Sequence, residues 1–194
     1  MQTLRTFIAV DFPIEIKEKI IEITAYFQSK LPPAQIKWVE PDHMHLTLKF
    51  MGETPHDKLV QIKQSIHQVI SVFPSFEIEI KALGMYPNNQ RPRVIWLGIN
   101  AENHLILLHN QLDQALKGEG IKSDRRPFSP HLTIGRVRRN ADQESIIQIG
   151  KILSQFKIAS LGSIKIDEIL YYQSVLTPQG PIYTILQSTS LNQV

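Results

Sequence analysis

Residues 3–10 are mostly apolar or β-branched on both parities, the pattern of a strand buried on both faces. Asp11, Phe12 and Pro13 then predict a helix entry with Asp11 as its cap. Ile16, Ile20, Ile23, Phe27 and Leu31 follow at helical spacing, with Glu15, Lys17, Glu18, Lys19 and Glu22 on the solvated side. Pro32 and Pro33 end that helix. A short strand over 36–39, a turn over 41–43 and a strand from Met44 closed by Gly52 come next. Leu59, Ile62, Ile66, Val69 and Phe73 predict a helix over 57–73, stopped by Pro74. Phe76, Ile78, Ile80 and Ala82 alternate with Glu77, Glu79 and Lys81, a half-exposed strand. Across the loop 87–92, the strand 94–99 pairs with it as a hairpin.

The second half repeats the scheme. Leu105, Leu108, Leu112 and Leu116 mark a helix ending near Gly118 and Gly120. A basic loop over 122–126 leads to a strand from Pro130, then a helix over 145–153 and a strand over 164–173. Thr177 to Pro181 is a turn signal before a closing strand over 183–188. Helices mixed with hairpins predict an α+β fold of mainly antiparallel sheet with flanking helices.

Two stretches of this pattern are near copies. One is Met44-His45-Leu46-Thr47-Leu48, the other Pro130-His131-Leu132-Thr133-Ile134, one in each half of the chain. Read as strands, each puts an imidazole and a hydroxyl on one face and an aliphatic pair on the other. Simple alternation adds Lys49 to the face of His45 and Thr47. One such tetrad is an ordinary strand with a polar face; two at matched places predict a bilobal architecture. Residues 1–194 then form a single domain of two pseudo-symmetric lobes, each lending one His-x-Thr-x strand to a central cleft.

Composition narrows the chemistry. The chain has 194 residues, 42% of them hydrophobic and 20% charged, within the ordinary globular range. It contains no cysteine, which excludes a disulfide framework, thiol catalysis and zinc-thiolate sites. A net charge of +3 tilts it only mildly toward anionic partners. No signal-peptide pattern and no apolar run of about 18 residues is present, so a cytoplasmic protein away from membranes is expected.

A histidine titrates near neutral pH, so of two facing one cleft, one can act as base and the other as acid. Phosphoester hydrolysis needs both, on opposite sides of phosphorus. Threonine hydroxyls suit the non-bridging oxygens, and the scheme uses no metal. Two other readings stay open: a polar sheet surface, and a metal held by His43 and His45 with Glu40 and Asp42 nearby. His56, His67, His104 and His109 read as surface or helix-face residues. Lys122, Arg125, Arg126, Arg136, Arg138 and Arg139 surround the second tetrad and suit either phosphate or solvent. Arg136 falls on the opposite parity to His131 and reaches the cleft only if the strand bends or ends first. Arg91 and Arg93 flank Pro92 and could touch substrate or decorate a loop. Phe7, Trp38, Tyr86 and Phe128 could stack a base or pack the core.

With these residues in place the chain resembles the 2H phosphoesterase superfamily, and within it the RNA 2′,3′-cyclic phosphodiesterase family, formerly called 2′-5′ RNA ligase. The likeness runs through Arg5 to Val10, Trp38 to Pro41, His45 to Glu53, Arg91 to Trp96, Pro127 to Arg136, and Leu176 to Pro178 before Tyr183. It implies a cleft between two lobes and metal-independent hydrolysis of RNA or nucleotide 2′,3′-cyclic phosphate termini to 2′-phosphomonoesters, with no cofactor. It implies His45 as proton donor, His131 as proton acceptor, and Thr47 and Thr133 on the phosphate; Arg136 joins them as a candidate substrate contact. The partners implied are RNA ends carrying a cyclic phosphate, tRNA fragments among them, and a monomeric enzyme is expected. Ligation of 2′-5′ links and hydrolysis of another cyclic nucleotide remain alternatives, and a non-catalytic RNA-end-binding protein is a third.

Overall fold

The structure is a computed structural model that describes residues 2–193. β1 (Thr3–Asp11) leads to α1 (Ile14–Lys30), β2 (Ile36–Trp38) and β3 (His45–Pro55). Next come α2 (Leu59–Ile70), the hairpin of β4 (Phe76–Tyr86) and β5 (Val94–Asn100), then α3 (His104–Gly118) and β6 (His131–Val137). The chain continues through α4 (Gln143–Ser154), β7 (Ser163–Ile166), β8 (Glu168–Thr177) and β9 (Gly180–Ser190). Every ladder is antiparallel, in two sheets ordered β3-β1-β8-β9 and β2-β6-β5-β4-β7. The expected α+β class holds.

The sheets are not the two halves of the chain. β2, from the first half, pairs with β6, and β8 and β9 return from the far end to complete the sheet begun by β1 and β3. The strand expected over 164–173 accordingly breaks at Asp167. Its first part pairs with β4 in one sheet and its second with β1 in the other. Alternation continues through such a break, because each piece still has one buried face.

Burial explains the order. β1 is paired on both edges and covered on both faces: Ile8 and Val10 enter the main core, while Phe7 and Ala9 pack with Leu170 and Tyr172 on the other side. α1 buries Ile16, Ile20, Thr24 and Phe27, and α3 buries Leu105, Leu108, Leu112 and Leu116. Leu31 is already extended (φ −98°, ψ 157°), as a residue before proline must be. Asp11 does not cap α1. It ends β1, accepting a 2.8 Å bond from the Phe12 amide and pairing with Lys17 at 2.8 Å, while Pro13 holds the cap position. Gly52 does not close β3 either; at φ 69° it lies within a strand that stays paired to Pro55.

Both tetrad strands are bulged at the same point. Ala9 pairs with Thr47 and Ile8 with Lys49, which skips Leu48; Trp96 pairs with Thr133 and Ile95 with Gly135, which skips Ile134. An extra residue reverses the alternation beyond it. Lys49 therefore leaves the face of His45 and Thr47 and is buried, 1% exposed. By the same inversion Arg136 turns onto the face of His131 and Thr133.

Lys49 is held by three acceptors, matching the three protons of an ammonium. Its Nζ lies 2.5 Å from Asp113 Oδ1, 3.0 Å from Asp124 Oδ2 and 3.0 Å from the Lys122 carbonyl. This knot ties β3 to α3 and to the loop that leads into β6. Burial pushes the Asp113 carboxyl up, yet bonds from Lys49 and Ser123 prevail and hold it below the usual range. Both carboxylates reach solvent and Lys49 does not, so the two sides of the pair are unequal. Asp113→Ala leaves the buried ammonium with only Asp124 and the Lys122 carbonyl and should cost about 3 kcal/mol, whereas Lys49→Met removes the need for the pair and should cost about 1 kcal/mol. Urea unfolding of the two variants checks this order, and an equal or reversed cost would contradict it.

Candidate active site

His45 opens β3 and His131 opens β6. Each ring is fixed by its own strand's approach. His45 Nδ1 lies 2.8 Å from the His43 carbonyl oxygen, and His131 Nδ1 lies 2.7 Å from that of Ser129. A carbonyl only accepts, so each Nδ1 carries the hydrogen and donates it. Each ring is left with Nε2 for chemistry.

One cleft of about 330 Å³ collects the candidate residues. His45, Thr47, His131, Thr133 and Arg136 all line it, together with Lys37, Trp38, Glu40, His43, Tyr183 and the β8–β9 turn at Gln179 and Gly180. Arg136 is present because of the bulge at Ile134, against the parity expectation. From sequence alone Lys37, Tyr183 and the hairpin tip have no assigned role in the site, although Tyr183 and the segment before it belong to the family likeness. Lys37 carries a weak signal, as a polar residue between Ile36 and Trp38; the place of Tyr183 at the cleft follows only once β9 is known to lie beside β8.

The two histidines share a motif but not an environment. His45 packs 4.8 Å from Phe7 and edge-on to Tyr183 at 5.2 Å, and Phe7 in turn stacks on Tyr172 at 5.1 Å. Burial in this aromatic bed disfavours the imidazolium and lowers its pKa to about 4, against smaller raising effects from the His43 carbonyl and Asp11. His131 instead meets the edges of Tyr86 at 5.2 Å and Trp96 at 6.1 Å, and the Tyr86 hydroxyl shares a 3.1 Å bond with Ser129. Trp96 fits only because residue 84 is glycine; a Cβ there would lie 2.1 Å from Trp96 Cζ2. Burial raises the Tyr183 phenol and pushes Tyr172 up to about 12, so both remain donors near neutral pH.

The other candidates disperse. Lys122, Arg125 and Arg126 do not line the cleft, and Lys122 contributes only its carbonyl, to Lys49. Arg93, Arg138 and Arg139 line a neighbouring groove, while Arg91 lies beside α4. Phe7 and Tyr86 back the two histidines, Trp38 walls the cleft and stacks on Phe27, and Phe128 stacks on His109 at 4.3 Å. His109 is not a surface residue. It is 5% exposed, with Nδ1 2.8 Å from the Leu48 carbonyl. The metal reading of His43 and His45 finds no convergent donors. Among the described residues the one group of three ligating side chains that come together is His109, Asp113 and Asp124, and its carboxylates already hold the Lys49 ammonium.

Comparison with known proteins agrees with this geometry. A family model described as the 2′-5′ RNA ligase superfamily matches residues 12–166. The RNA 2′,3′-cyclic phosphodiesterase of Archaeoglobus fulgidus is 34% identical over 184 residues, covering 95% of this chain and 98% of that protein. That of Methanocaldococcus jannaschii is 35% identical over 184 residues, covering 95% and 99%. Among solved structures, a crystal structure of a phosphoesterase superposes with a TM-score of 0.78 at 29% identity, covering 99% of this chain and 100% of that one. E. coli LigT complexed with 3′-AMP gives 0.77 at 28% identity, with coverage of 99% and 100%. The matched span contains both tetrads, their bulges and Arg136, and the chain belongs to the 2′-5′ RNA ligase superfamily.

Proposed function

We propose that this protein hydrolyses the 2′,3′-cyclic phosphate ends of RNA to 2′-phosphomonoesters, with His45 and His131 as the acid–base pair. One observation carries the reading: two imidazoles, each with Nδ1 tied to a backbone carbonyl, present Nε2 to one cleft beside two threonine hydroxyls. The relatives named RNA 2′,3′-cyclic phosphodiesterase support the substrate. Both histidines come from one chain, so the reading needs no second copy.

In this reaction His131 Nε2 takes a proton from water as the water oxygen bonds to phosphorus. The bond from phosphorus to the 3′-oxygen breaks, and His45 Nε2 delivers its proton to that oxygen. The phosphate stays on the 2′-oxygen, and proton exchange with solvent resets both rings. Thr47 and Thr133 donate to the non-bridging oxygens, and Arg136 offsets their charge. The family resemblance, and not the two environments, assigns the donor: burial leaves the His45 ring unprotonated near neutral pH in the free protein. A buried imidazolium is a strong acid, suited to a poor leaving group. It needs an anion to hold its proton at neutral pH, and the phosphate provides one.

His45→Ala and His131→Ala should each lower kcat by about 10³-fold, and Thr47→Val or Thr133→Val by about 10²-fold. Phosphorus NMR of a 2′,3′-cyclic oligonucleotide in excess EDTA should show the 2′-monophosphate; a 3′-monophosphate would make the 2′-oxygen the leaving group instead. In a proton NMR titration, His45 should move from about pH 4 in the free protein to at least a unit higher with bound product. A midpoint that ignores the product would remove His45 as donor.

The lowered pKa also acts on stability. Between about pH 4 and 6.5 the unfolded chain holds a proton on His45 that the folded protein lacks. Stability therefore rises with pH across that window and is lost as pH falls through it. The free protein should lose about 1–2 kcal/mol between pH 7 and pH 5 from this group. Urea unfolding of His45→Gln should show that much less dependence on pH.

A further inference from the structure

Beside the cleft, across Lys37 and Arg136, runs a second groove of about 610 Å³. Lys37, Arg93, Arg136, Arg138 and Arg139 line it, and no acidic residue does. All five are exposed, and among the described residues none lies within 4.0 Å of a carboxylate. The whole chain carries only +3, so this concentration of charge is local.

The cations stand on ordered backbone rather than on a free loop. Lys37 lies directly opposite Arg136 in the β2–β6 ladder. Like charges so placed repel, and a fold under no other demand would seat a carboxylate or a neutral residue in one position. The Val137 amide donates to the Arg93 carbonyl at 3.0 Å, the Arg138 amide to the Gln35 carbonyl at 2.8 Å, and Arg93 Nη1 to the Arg138 carbonyl at 3.3 Å. Lys37 and Arg136 line both cavities, so the groove adjoins the cleft.

Resting on the cyclic-phosphate reading, we propose that this groove takes the RNA strand on the 5′ side of the cyclic end. A cyclic phosphate terminates its chain, so the strand leaves the cleft in one direction only. The next internucleotide phosphates then lie along Lys37, Arg93, Arg138 and Arg139. The groove offers cations and no aromatic ring, so it reads charge and not base identity. The consequence is a preference for oligonucleotides over mononucleotides that tolerates any sequence.

The test compares two substrates across salt concentrations: a 2′,3′-cyclic mononucleotide and an RNA of about eight nucleotides with the same end. In Arg138→Gln/Arg139→Gln, kcat/KM for the oligonucleotide should fall about ten-fold or more, and its log–log salt slope should become shallower by about 1.4. The mononucleotide should change less than about two-fold. Lys117→Gln/Lys165→Gln removes the same charge from exposed positions outside the groove and should leave both substrates unchanged. Equal losses on both substrates would overturn the proposal, as would an unchanged oligonucleotide. Fluorescence anisotropy of the labelled RNA separates this idea from the catalytic one. If the wild type turns over neither substrate but binds RNA with a salt slope that the double variant loses, the groove stands and the hydrolysis reading falls. Identical binding by wild type and variant would end the groove proposal.

Discussion

The site depends first on a hydrogen bond from each histidine back to its own strand's approach. His45 and His131 each lock Nδ1 onto the carbonyl two residues earlier. That contact fixes the ring, the tautomer and the direction of Nε2 with local backbone alone. It asks nothing of the other lobe, so two strands in different sheets can each present a finished imidazole. The bulge three residues later does the complementary task. It turns the next residue, Lys49, inward in one strand and the second residue on, Arg136, outward in the other, so the same short motif supplies a structural anchor on one side and a cation lining the cleft on the other.

Identical strands then receive unlike surroundings. Behind His45 lie Phe7 of the doubly buried β1, Tyr172 of β8 and Tyr183 of β9; around His131 lie Tyr86 and Trp96, kept close by Gly84. The two rings are thus distinguished by what packs against each. The motif supplies position, and the neighbouring strands supply proton affinity.

Much of this was legible in the sequence. Periodicity located the helices and most strands, because each has one buried face, and the repeated tetrad located His45, Thr47, His131 and Thr133. What was not legible has a common cause in strand pairing. A bulge leaves no mark in alternation, so parity alone puts Lys49 on the face of His45 and brings Arg136 to the cleft only if its strand bends. The break at Asp167 joins two half-buried strands without interrupting their rhythm, so one strand stood for two. His109 reads as a polar residue on a helix, and only the carbonyl of Leu48 and the ring of Phe128 explain its burial.

The return of β8 and β9 to the first sheet has a consequence for how the protein is made. A ribosome that has released everything through β7 has produced both histidines, both threonines and Arg136. β1, however, still lacks β8 on one edge, and the ring of His45 lacks Tyr172 and Tyr183 nearby. An apolar strand with an open edge is a template for association with other chains. β8 and β9, made after everything else in the site, are therefore what seals this edge and surrounds a ring made far earlier.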